Sequence, residues 1–134
     1  MKFRIQIVIE HEDEEPTQIV EEVGCLSRGT LSPATLGMSL AEGKEILAGI
    51  QQQMVEHQVH AFIQENKRCP HCNKQRGRKD TKRLVMRTIF GKLNLPNPRL
   101  YTCSCQPQAT KSVTPLAHRL PERTTPELKY LQSK

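Results

Sequence analysis

Cys69-Pro70-His71-Cys72 and Cys103-Ser104-Cys105 are two close cysteine pairs with thirty residues between them. Each pair can grip one edge of a tetrahedral metal site, because thiolates two or three positions apart reach one ion while the chain between them folds back. Cys69, Cys72, Cys103 and Cys105 then fill the coordination sphere of a structural zinc, which staples the two ends of the excursion together. The second pair is spaced by one residue instead of two, and the excursion is long, so the pattern is a variant of the zinc ribbon. His71 and His118 are the side chains able to replace a cysteine, although a histidine inside a cysteine knuckle usually points outward.

Cys-Pro-His-Cys has a rival reading as a thiol-disulfide oxidoreductase motif, in which it opens a helix whose N-terminus lowers the pKa of the first thiol. The context here argues against that. Asn66-Lys67-Arg68 before the motif ends a helical pattern, and the segment after it is basic and carries a glycine.

Between the pairs, Lys74, Arg76, Arg78, Lys79, Lys82 and Arg83 make six of the ten residues 74–83 basic, which reads as an exposed loop. Residues 84–90 read as a strand, Gly91-Lys92 as a tight turn with glycine first, and residues 93–95 as the returning strand. Pro96 and Pro98 are expected to interrupt it. A further strand at 99–102 would deliver Cys103 and Cys105 beside the first pair.

Upstream, residues 3–9 alternate apolar and polar, as do residues 19–26, which predicts a β-hairpin joined by a solvated acidic connection at 10–16. Residues 39–66 switch to helical spacing, with Leu40, Leu47, Ile50, Met54, Phe62 and Ile63 as the apolar stripe of a long amphipathic helix. Ser39 and Glu42 form a capping box at its start. Gly43 and Gly49 weaken the helix locally. Met38, Met54 and Phe62 read as core, and His57 and His60 as ordinary surface residues. Downstream, residues 106–123 read as a proline-rich linker, and Thr125-Pro126-Glu127 starts a helix with few residues left to run. A helix that short needs a packing partner.

The expected class is α+β, in three segments: hairpin plus long helix at 1–66, a zinc-ribbon-like basic module at 67–106, and a linker with a short truncated helix at 107–134. With 134 residues, 36% of them hydrophobic, no tryptophan and five aromatic side chains, the core must be small and aliphatic. A large enzyme pocket is not expected.

The formal charge of +6 conceals an asymmetry: residues 1–24 carry −5, residues 25–66 carry −2 and residues 67–134 carry +13. Four thiolates on a divalent zinc leave a charge of −2, far too little to need thirteen cations. The surplus favours a polyanion, since each lysine or arginine that neutralises a phosphate releases a counterion. Arg68, Lys74, Arg76, Arg78, Lys79, Lys82, Arg83 and Arg87 are the candidate contacts. Only Phe90 and Tyr101 supply aromatic faces nearby, so double-stranded DNA is favoured over a stacked single strand. The start of the chain lacks the long apolar run of a signal peptide, and no stretch approaches the ~20 apolar residues of a membrane span. The expected location is cytoplasmic, where cysteine pairs bind metal more often than they form disulfides. Cys25 is then a spare thiol.

With these pieces in place, the chain resembles the N-terminal region of ISKra-type insertion-sequence transposases, bacterial DDE-type enzymes. The resemblance rests on Met1-Lys2-Phe3-Arg4-Ile5-Gln6-Ile7-Val8-Ile9-Glu10, on Cys69-Pro70-His71-Cys72, on Arg87-Thr88-Ile89-Phe90-Gly91-Lys92-Leu93, and on Leu120-Pro121-Glu122-Arg123-Thr124-Thr125-Pro126-Glu127-Leu128. It implies DNA transposition, with metal-bound carboxylates of an RNase-H-like domain doing the chemistry. No acid here matches that catalytic triad, so the resemblance implies an accessory DNA-holding part that is not an enzyme by itself. Its partners would be DNA and a transposase catalytic domain or subunit. The contrasting reading is a protein-protein adaptor, in which the helix face and the C-terminal helix dock on a catalytic subunit.

Overall fold

The computed structural model describes residues 1–12, 17–105 and 111–134. The protein is α+β, and its contacts divide it into two units, Met1–Met54 and Val55–Lys134, with the division falling inside the long helix.

In the first unit β1 (Lys2–Glu10) pairs antiparallel with β2 (Gln18–Ser27). Strand alternation leaves Ile5, Ile7 and Ile9 half-buried and Arg4, Gln6 and Val8 exposed. Residues 13–16 of the expected acidic connection lie outside the described residues. Ile5 pairs with Gly24 but Gln6 with Glu22, so Val23 is the extra residue of a bulge. That bulge sets the Val23 carbonyl against α1 (Leu40–Glu65): a Cβ placed on Gly49 would lie 2.9 Å from the Val23 oxygen. Gly49, a weak point by propensity, is what permits this close approach.

The start of α1 is fixed as the capping box predicts. Glu42 N–H donates to Ser39 Oγ at 3.1 Å, and Ser39 N–H donates to Glu42 Oε1 at 2.9 Å. The Arg28 guanidinium reaches the same carboxylate at 2.6 Å and also donates to the Gly37 and Ser27 carbonyls, tying the end of β2 to the helix start. Arg28 first, and the Ser39 hydrogen bonds second, hold the Glu42 carboxyl down at about 2. The apolar stripe differs from expectation. Leu40, Leu47, Met54 and Met38 are all exposed, because Ile46 and Gly49 lie on the face turned to the hairpin. Among the described residues, none of the first 54 is fully buried.

The core lies in the second unit: Val59, Leu84, Leu93, Leu95 and Leu116, flanked by Val55, Phe62, Ile63, Met86, Ala117 and Leu120. Phe62 is thus core, as expected. β3 (Arg78–Thr88) and β4 (Gly91–Tyr101) form an antiparallel hairpin that supplies Leu84, Leu93 and Leu95 to this cluster. β3 begins well inside the basic segment expected as a loop. Its charged end pairs with Pro96, Asn97, Pro98 and Arg99, and Arg99 clamps Asp80 with two hydrogen bonds.

β4 also runs unbroken through Pro96 and Pro98. Tyr101 N–H donates toward the β3 side, to Gly77 O, whereas Thr102 N–H donates to Lys111 O on the opposite side. By strand alternation, residues 96 and 98 share the direction of residue 102. Among the described residues β5 (Ser112–Val113) covers that edge only at Leu100 and Tyr101, so the prolines' missing donors fall where no described strand pairs. The turn is Ile89-Phe90, not Gly91-Lys92: Thr88 pairs with Gly91, which opens β4 at a φ of 121°. Thr88 Oγ1 closes it, accepting from Phe90 N–H and donating to Gly91 O.

The tail is a packed layer where a linker was expected. α2 (Pro115–Arg119) sends Leu116 into the core, and residues 123–125 bond along β3, with Arg87 N–H on Arg123 O at 2.8 Å and Thr125 N–H on Arg87 O at 2.9 Å. α3 (Pro126–Gln132) starts at Pro126, as its cap predicts. Residues 106–110 of the tail lie outside the described residues.

Candidate metal centre

The first cysteine pair sits in a tight knuckle closed by a bridge between Arg68 and Gln75. Cys69 N–H donates to Lys74 O at 2.8 Å, Asn73 N–H to Cys69 O at 2.9 Å, and Arg76 N–H to Lys67 O at 2.8 Å. Asn73 adopts a φ of 62°, the left-handed conformation that asparagine tolerates best among residues with a side chain. The second pair follows β4 directly, so the β3–β4 hairpin returns it to the knuckle.

All four sulfurs lie within 4.8 Å of one another, Cys69 Sγ being 3.6 Å from Cys105 Sγ and Cys72 Sγ 3.3 Å from Cys103 Sγ. The four thiols are free. A tetrahedral ion with metal–sulfur bonds of about 2.3 Å requires sulfurs about 3.8 Å apart, so these positions fit a four-thiolate ion after adjustments of up to about 1 Å in the sulfur separations. Cys69 is buried, Cys72 and Cys103 are half-buried and Cys105 is exposed. His71 and His118 are both exposed and neither joins the cluster, and Cys25 is an exposed thiol of the other unit.

The electrostatics of the cluster suit a cation. Backbone N–H groups of Cys72 and His71 point at the Cys69 sulfur and hold that thiol at about 6, against the opposing effect of burial. The Cys105 backbone N–H likewise lowers the Cys103 thiol. Cys105 goes the other way, pushed up to about 12 chiefly by the Cys103 and Cys72 sulfurs. Like charges this close cannot all ionise unless an ion neutralises them. Four thiolates at these distances can therefore hold a metal ion.

Of the basic residues singled out from sequence, Arg68, Lys74, Arg78, Lys79, Lys82, Arg83 and Arg87 are exposed. Arg76 is half-buried and its Nη2 donates to Asn66 O at 2.7 Å, which makes it part of the framework under the knuckle. Arg87 is held through its backbone by the tail. Two features were not read from sequence: the Asp80–Arg99 pair, and a cleft of about 330 Å³ beside the knuckle that Lys67 and Arg76 help to line. Both depend on which strand residues lie opposite one another, which spacing alone does not give.

Among the described residues, no helix is long and apolar enough to cross a membrane. Compared with known proteins, the chain matches no family model, no curated protein and no solved structure.

Proposed function

We propose that the chain is a DNA-holding module, the N-terminal part of an ISKra-type insertion-sequence transposase, in which a structural zinc on Cys69, Cys72, Cys103 and Cys105 fixes a cationic hairpin. The observation that carries this reading is the four-sulfur cluster at the base of a strand, β3, whose exposed residues include Arg78, Lys79, Lys82, Arg83 and Arg87. Among metals, zinc suits four thiolates in a tetrahedron, and with four protein ligands it keeps no open position for a reacting water. The zinc stabilises and the cations bind phosphate; the module itself cuts no DNA. Contacts of this kind are largely independent of sequence. Unpaired cysteines held for a metal also suit a reducing, cytoplasmic setting.

The test is duplex DNA binding by zinc-loaded protein across a salt series. Five or six phosphate contacts predict a slope of about −5 in log K against log salt, at roughly −0.9 per contact. A slope near zero would overturn the reading. It would favour the protein-protein adaptor, which has its own support in the exposed Leu40, Leu47 and Met54 of α1 and Tyr130 and Leu131 of α3. Apolar docking survives raised salt.

A further inference from the structure

The cleft beside the knuckle has a composition that neither zinc nor a plain phosphate strip explains. Its wall is part cationic, with Lys67, Arg76 and Arg78, and part apolar, with Ile63, Pro96, Pro98 and Leu100, and no acid is among the described residues that line it. Asp80, the acid closest in sequence, is committed to Arg99. Arg76 Nη2 is tied to Asn66 O, which holds the guanidinium in place beside the cleft. Three cations with no acid among them favour an anionic ligand.

A bare phosphate would leave the apolar part wet, and an apolar ligand would leave three cations unanswered. A phosphate joined to a flat heterocycle satisfies both parts, as extruded bases do when they lie against apolar side chains. At about 330 Å³ the cleft stands at the lower end of the roughly 300–1,000 Å³ range of ligand sites, room for one such unit. Gln75, also on the lining, offers an amide able to pair with a base edge. Arg78 and Thr81 on the lining belong to β3, whose exposed cations continue from the cleft along the strand.

The geometry points to a binding site for a single unpaired nucleotide of a DNA strand, its phosphate on Lys67, Arg76 and Arg78 and its base against Pro96, Pro98 and Leu100. This inference rests on the DNA-holding reading, and adds to it that a strand end or an extruded base is held apart from the duplex. The cleft wall from Gln75 to Arg78 leaves the cysteine knuckle directly.

The experiment uses zinc-loaded full chain with three probes: a blunt duplex, the same duplex with one unpaired 2-aminopurine nucleotide at a 3′ end, and the free deoxynucleoside monophosphate. Two variants separate cleft from strip. Lys67→Gln alters the cleft alone, and Arg83→Gln alters the strip alone. The overhang duplex is expected to bind roughly tenfold more tightly than the blunt one, the worth of one good base contact, with brightening of the 2-aminopurine. Lys67→Gln abolishes that preference, and Arg83→Gln weakens both duplexes alike. Equal affinity for blunt and overhang duplexes, with no response to Lys67→Gln, would overturn the cleft site and leave the DNA reading intact. Binding of the free nucleotide alone, lost in Lys67→Gln, would overturn the DNA-strand site together with the DNA reading and leave the cleft as a site for a free nucleotide. Binding of none of the probes overturns both.

Discussion

Cys72 Sγ lies 3.3 Å from Cys103 Sγ, across 31 positions of chain. The β3–β4 hairpin closes that loop, and an ion on the four sulfurs would add a tie across its ends. Binding of structural zinc in small modules is worth ~10 kcal/mol or more and is inseparable from folding. Cys103→Ser is therefore expected to lower zinc affinity by more than the ~100-fold that loss of an outer hydrogen bond to a ligand costs. Competition with a chromophoric chelator measures it. Cys25→Ser, in the other unit, is the control and should leave the affinity unchanged.

Metal uptake is expected to release protons. In the metal-free protein the Cys105 thiol stands at about 12 and is protonated at pH 7, whereas a ligating sulfur is a thiolate. Cys69, at about 6, is already largely ionised there and contributes little to the release. The sign follows: apparent zinc affinity rises with pH above neutrality, because fewer protons need displacing, and falls as pH drops through 6, where Cys69 also takes up a proton. Calorimetry in buffers of different ionisation enthalpy counts the protons released. A pH-independent affinity between 6 and 9 would contradict this electrostatic account.

Much of the site was legible in the sequence, because metal ligation is carried by residue type and spacing: all four cysteines meet, and the intervening chain is a hairpin. The capping box at Ser39 and Glu42 and the helix start at Pro126 were legible for the same reason, being local chemistry. What spacing missed was set by contacts distant in sequence. The charged end of β3 looks like a loop until Asp80 meets Arg99. Pro96 and Pro98 look like strand breakers until their edge is seen to carry no partner strand among the described residues. Leu40, Leu47 and Met54 satisfy a helical period, but the Val23 bulge selects the face containing Gly49.

Leu116 tests the reassignment of the tail. It is 3% exposed and packs with Val59, Leu84, Leu93 and Leu95, although its surroundings in sequence are proline-rich and polar. Leu116→Ala in zinc-loaded protein is expected to cost 2–5 kcal/mol, the usual range for truncating a buried leucine. Denaturant unfolding followed by circular dichroism measures it. A change under about 0.5 kcal/mol, typical of surface sites, would return residues 115–119 to the status of a linker.

Gly43 and Gly49 sit on the same helix and invite the same substitution, yet the structure predicts opposite signs. By propensity each glycine-to-alanine change is worth up to about 1 kcal/mol in favour of the helix. At Gly43 the new methyl would meet only Met38 Cε at 3.5 Å, an ordinary contact with a flexible side-chain tip, so the gain survives. At Gly49 it would lie 2.9 Å from the Val23 carbonyl oxygen, and a bulged backbone locked between β1 and α1 yields less readily than a side chain. Gly43→Ala should raise the melting temperature and Gly49→Ala lower it. Thermal unfolding of both variants measures the signs, and stabilisation by Gly49→Ala would show that helix and bulge are not held in close contact.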